Sequence, residues 1–216
     1  MTELSGRRAT GWGVRTYGLL ALFAALLIGL VGFVPAAASA SPVLPGAEPH
    51  GESAVRALIA GSALGEVGKG ESGGENYYPK KYKISKKIVR PAEWCGVFTN
   101  WAWYAGGVAA RPPATGKNEN QLHWATYWQK WGQKHKKWHK ASQRKVDIGD
   151  AVVYGNFPQS GHIGVVVGVK YDKKKRATWV MTVEGNVGDK VTNKGWRKIG
   201  NLTGRGYKAS GFVSPF

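Results

Sequence analysis

The chain predicts an α+β domain, with helices in its first half and a sheet of consecutive antiparallel strands in its second. Two observations carry this. Between residues 53 and 137, apolar residues recur at helical spacing and the segments stop at glycines, as at Gly65 and Gly106-Gly107. From residue 151 onward the pattern changes to short β-branched and aromatic runs bounded by Gly, Asn and Asp: AVVY, HIGVVVGV, ATWVMTVE, a segment near KVTNKGW, and SGFVS. Helices followed by successive strands specify two packed layers, not an alternating parallel sheet. The 216 residues, with 10 Trp and 9 Tyr, hold enough apolar area for one sizeable core, and neither an internal repeat nor a second domain is visible.

The elements follow in chain order. Arg7, Arg8 and Arg15 precede an apolar stretch from Tyr17 to Val34 that ends in PAAASA. A basic start, an apolar run and a small-residue site specify a secretory signal peptide over residues 1–40, cut after Ala40. The run is also long enough to span a bilayer if it is kept, so the membrane is expected as a partner only through this segment. Cleavage removes three arginines and Glu3 and leaves a strongly basic mature chain. Residues 41–52, SPVLPGAEPHGE after the cut, read as a Pro-rich linker, and residues 53–216 as the domain.

Ser53 is the expected cap of a first helix whose buried face carries Ala54, Leu58, Ala60 and Leu64. A basic, tyrosine-rich connection without period leads to EWCGVFTNWAWYAGGV. There Phe98, Trp101, Ala102 and Ala105 recur at helical spacing, so Cys95 lies at a helix N-terminus. A further helix is expected over about 119–137, its charge run KHKKWHK a solvated face.

Cys95 is the only cysteine, and an unpaired cysteine in an exported protein is either an intermolecular bridge or a thiol kept for its reactivity. Partial positive charge at a helix start favours a thiolate. A nucleophile of this kind needs a base and a group to orient the base. Of five histidines, His50 falls in the linker, and His123, His135 and His139 fall in the basic helical region. His162 opens the strand HIGVVVGV after a Gly-containing turn, and TVEGN closes the next strand with Glu184 and Asn186. If those two strand ends lie side by side, Glu184 holds one nitrogen of His162 while the other faces Cys95. His135 and His139 are four residues apart, but the lysines around them and the lack of a carboxylate or thiol ligand argue against a metal site.

In order and spacing, WCGVFTNWAWYAGGV, GDAVVY with GHIGVVVGV, and VEGN resemble the cysteine, histidine-dependent amidohydrolase/peptidase (CHAP) family of secreted bacterial and phage cell-wall hydrolases, over roughly residues 53 to 214. The resemblance implies a papain-like fold in which the cysteine-bearing helix packs on an antiparallel sheet bearing the histidine. It also implies Cys95 as nucleophile, His162 as general base, Glu184 as orienting acid and Asn186 as a polar residue completing the site. The implied reaction is hydrolysis of a peptidoglycan amide, by an N-acetylmuramoyl-L-alanine amidase or an endopeptidase, with no cofactor and no metal.

Lys and Arg number 31 against 13 Asp and Glu, so attraction to polyanions is expected. Aromatic residues interleaved with Lys in HWATYWQKWGQKHKKWHK would suit a nucleic-acid module, but export excludes that partner and leaves peptidoglycan and anionic cell-wall polymers. A monomer associated with the cell wall is the expected state. The competing function is a basic wall-binding or polyanion-binding module without catalysis.

Overall fold

The computed structural model describes residues 51–86, 88, 91–113 and 123–216. The expected signal peptide, most of the linker, His50 and residues 119–122 of the expected third helix lie outside the described residues. Among the described residues the chain forms three α-helices and seven strands, mixed helix and antiparallel sheet. No helix among them is long and apolar enough to cross a membrane.

Helix α1 spans Glu52–Leu64, two residues earlier than expected. Ser53 does not cap it. Gly51 holds the N-cap position without a side-chain bond, and Glu52 sets a negative charge in the first turn, where the helix dipole favours it. The buried face also differs from the expected one. Val55, Ile59 and Ala63, at successive i+4 steps, turn inward with Arg56 and Ala60, while Leu58 and Leu64 stay exposed. Arg56 explains the rotation, because it is satisfied only inside. It donates to Glu52, to the Ile148 carbonyl, to Asp150 at 2.7 Å and to the Ser214 hydroxyl, tying α1 to the sheet. Burial pushes the Asp150 carboxyl up to about 6, against the pull of Arg56.

The described part of the tyrosine-rich connection holds one short 3-10 turn, Lys80–Tyr82, and side chains anchor it. Tyr78, Tyr82 and Trp94 are fully buried, Tyr82 stacks on Trp94 with centroids 5.9 Å apart, and Phe98 meets Tyr82 edge to face. Glu66 accepts from the Tyr82 hydroxyl and from Lys69 and Lys81, and Trp94 Nε1 donates to Glu71. These contacts fix the chain just before α2 (Cys95–Ala105), which begins at Cys95 and stops at Gly106.

Helix α3 covers only Tyr127–Lys134, shorter than the expected 119–137. His135 caps its end, and WHK leaves the helix altogether. Strand β1 (Trp138–Lys140) pairs antiparallel with the last strand, so part of KHKKWHK is the edge of the sheet and not a helix face. His135 packs on Trp131 with ring centroids 4.6 Å apart, and His139 sits in β1 opposite Phe212. Among the described residues no group of three His, Cys, Asp or Glu is placed to hold a metal ion.

The remaining strands are β2 (Ala151–Tyr154), β3 (His162–Tyr171), β4 (Ala177–Glu184), β5 (Thr192–Lys198), β6 (Thr203–Gly204) and β7 (Tyr207–Val213). They order as β1-β7-β2-β3-β4-β5, with β6 paired to β7, and every pairing is antiparallel. One face, through Val153, Ile163, Val165 and Val183, packs against α1 and α2. The other also buries a cluster: Val152, Tyr154, Val166, Val180 and Phe212 lie under Val146, Ile199 and Leu202 from the connecting segments. Cover on both faces explains why AVVY and HIGVVV are continuous apolar runs where a half-solvated antiparallel strand would alternate.

Candidate active site

Cys95 is the first residue of α2, 3% exposed, and a free thiol. No N-cap side chain bonds this helix start and no acid occupies its first turn, so among the described residues no side chain satisfies its leading N–H groups. His162 is the first residue of β3 and is fully buried. Glu184 is the last residue of β4, and antiparallel pairing of β3 with β4 brings the two ends together. His162 Nε2 lies 3.1 Å from Glu184 Oε2. Its Nδ1 is buried and, among the described residues, has no hydrogen-bond partner of good geometry, although the Cys95 side chain lies beside the ring. Burial works against a charged imidazole here, but the neighbouring Cys95 and Glu184 side chains outweigh it and push the His162 pKa up to about 9.

Glu184 is more firmly held than its place at a strand end suggests. Its Oε1 accepts from the Tyr154 hydroxyl, the Thr182 hydroxyl and Arg197 Nη2, each at 2.7 Å. Burial alone would raise this carboxyl, yet His162, Tyr154 and Arg197 reverse the effect and hold it down to about 2. Tyr154, paired with His162 in the β2–β3 register, stacks beside the imidazole at 5.8 Å and 19°. Gly164 supplies the room. A Cβ there would come within 2.4 Å of Glu184 Cγ, so only glycine lets the carboxylate cross β3 toward His162.

Of the four residues expected from sequence, three converge: Cys95, His162 and Glu184. Asn186 does not join them. Its Nδ2 donates to Glu93 Oε2 at 2.7 Å and makes a longer contact, 3.4 Å, with Asn76 Oδ1. It thus braces a neighbouring carboxylate and not the imidazole. A cavity of about 360 Å³ opens on Cys95 and is lined also by Glu93, His123, Trp124, Ser160, Arg205 and Tyr207. His123, which the sequence places in the basic helical region, meets the Glu93 carbonyl through Nδ1, and burial lowers its pKa. Thr182 was within reach of the sequence, lying two positions from Glu184 and so on the same strand face. Arg197, Tyr154 and Arg205 come from strands and a turn whose neighbours only folding decides.

No family model matches the chain, and no curated protein or solved structure matches it.

Proposed function

We propose that this protein is a secreted thiol hydrolase that cleaves an amide bond of peptidoglycan, as the resemblance to the CHAP family implies, on a papain-like arrangement of α2 against the sheet. The observation that supports it best is the buried group Cys95, His162 and Glu184, with one imidazole nitrogen held by a carboxylate and the other, among the described residues, making no well-formed hydrogen bond. In a histidine that serves only the core, both nitrogens are as a rule satisfied.

In the proposed reaction Cys95 Sγ, as thiolate, attacks the amide carbonyl, and a C–S bond forms as the carbonyl π electrons move to oxygen. N–H groups at the start of α2, that of Cys95 among them, receive the oxyanion. His162, carrying the proton, delivers it to the nitrogen as the C–N bond breaks and the amine leaves. Water then gives a proton to His162 and its oxygen to the acyl carbon, the thioester opens, and Cys95 returns as thiolate. Glu184 keeps the imidazole in the orientation and tautomer that both steps use, and the site employs neither metal nor cofactor. Anionic wall polymers would hold the basic chain near its substrate.

Mass spectrometry of fragments released from purified peptidoglycan tests this. New amide termini are expected with the native protein and none with Cys95→Ser, whose hydroxyl is far too weakly acidic to act beside His162. Release undiminished in Cys95→Ser would remove the thiol mechanism, and intact peptidoglycan with native protein would favour a wall-binding module.

A further inference from the structure

Gly204 pairs with Tyr207, so the β6–β7 hairpin turns through just two residues, Arg205 and Gly206. Their φ angles are +48° and +85°, the two-residue turn in which both central positions are left-handed. Asn, Asp or Gly suits the first of these positions, because a longer side chain gains nothing locally to offset the crowding at its Cβ. An arginine there runs against local preference, and a residue that breaks a local rule invites a functional account.

The location supplies one. Arg205 lines the cavity that opens on Cys95. Its Nη1 donates to Glu93 Oε2 at 2.7 Å, and the same oxygen accepts from Asn186 Nδ2 at 2.7 Å. Glu93 is therefore a brace, fixed by Asn186 on one side and holding the guanidinium on the other. A guanidinium carries five N–H donors in a planar fork, and only one of them has a partner among the described residues. The side chain is 46% exposed, so the remaining donors stay available to a ligand. Burial would weaken the charge, but Glu93, Cys95 and Asp189 sustain it.

We propose that Arg205, braced by Glu93 and Asn186, is a specificity-determining residue that binds a free carboxylate of the substrate beside the amide attacked by Cys95. This rests on the hydrolase function above. A planar carboxylate matches the free edge of the fork and can take two parallel N–H bonds. A monoanion suits the cavity better than a phosphate dianion, because the Glu93 charge remains in it. The substrate class is thus a peptide fragment with an unamidated carboxyl next to the cleaved bond.

The test uses two soluble muramoyl-peptide fragments, identical except that this carboxyl is free in one and a carboxamide in the other. Native protein is expected to prefer the acid by about 10-fold or more, chiefly through KM, as a charge-assisted pair that persists from ground state to transition state requires. Arg205→Asn, which suits the left-handed turn and so keeps the hairpin, is expected to bring that preference to about one. Calorimetric titration of Cys95→Ala with both fragments, with and without Arg205→Asn, reads the same preference without turnover. If neither fragment is cleaved yet Cys95→Ala binds the acid preferentially through Arg205, the hydrolase function falls and the carboxylate site stands. Equal affinity of Cys95→Ala for acid and amide, or a preference that survives Arg205→Asn, overturns the inference.

Discussion

Replacing Glu184 by Gln keeps the shape and removes one charge, and its effect follows from the four donors around the carboxylate. Oε1 faces the Tyr154 and Thr182 hydroxyls and Arg197, while Oε2 faces His162 Nε2. A glutamine has one acceptor oxygen and one NH2 donor. Turned toward Arg197, the NH2 would set donor against charged donor, so the amide oxygen takes that side and the NH2 meets His162. Nε2 must then accept, the imidazole proton moves to Nδ1, and the nitrogen meant to face Cys95 can no longer take a proton. A wrong tautomer of this kind costs about 10² to 10⁴ in turnover.

Stability falls as well, because a carboxyl held from 4.5 down to about 2 contributes on the order of 3 kcal/mol at neutral pH. For a domain of this size that lowers the thermal midpoint by roughly 6–12 °C. The Glu184 charge contributes its full stability above pH 4.5 and loses it as pH falls toward 2, so the gap between native and Glu184→Gln is expected to narrow across that window. Peptidoglycan hydrolysis per folded molecule, measured well below both midpoints, is the deciding assay. Turnover within about twofold of native would refute the orienting role and leave Glu184 a purely structural anchor for Arg197.

The remaining expectations concern the same frame. The His162 pKa stands above 6.5, so its stabilising contribution is complete below pH 6.5 and is lost as pH rises through about 9; Cys95→Ala removes one group that raises it, and the imidazole titration followed by NMR is expected to shift to lower pH. An unmoved midpoint would mean that the thiol does not act on the ring. Gly164→Ala is expected to displace Glu184 and to lower turnover by at least about 10-fold, with a crystal structure of the variant showing the carboxylate moved off His162. Arg56→Met leaves Asp150 buried without its partner and is expected to cost about 3–5 kcal/mol in denaturant unfolding, while hydrolysis per folded molecule stays native-like. Binding to whole walls is expected to weaken steeply with salt while turnover of small fragments changes little; equal salt sensitivity would remove electrostatic tethering.

Much of this molecule is written in local pattern. The strand runs, the glycine stop after Ala105 and the position of Cys95 at a helix start depend on spacing of a few residues, and the adjacency of His162 and Glu184 follows once β3 and β4 pair as neighbours. Thus the mixed helix and antiparallel sheet of an α+β fold was legible, and so was the convergence of Cys95, His162 and Glu184, three of the four residues expected together. Where the pattern is overridden by long-range contact, local inference failed. The inward face of α1 is chosen by Arg56 reaching Asp150 and Ser214, residues 94 and 158 positions away. WHK becomes a strand because β7 offers it an edge. Asn186 is drawn to Glu93, and Arg197 and Tyr154 close around Glu184, only when strands distant in sequence are laid side by side. Side-chain spacing along one chain encodes which face a residue takes within its own helix or strand. It does not encode what stands opposite, and for a buried charge the opposite group decides both its ionisation and its place in the chemistry.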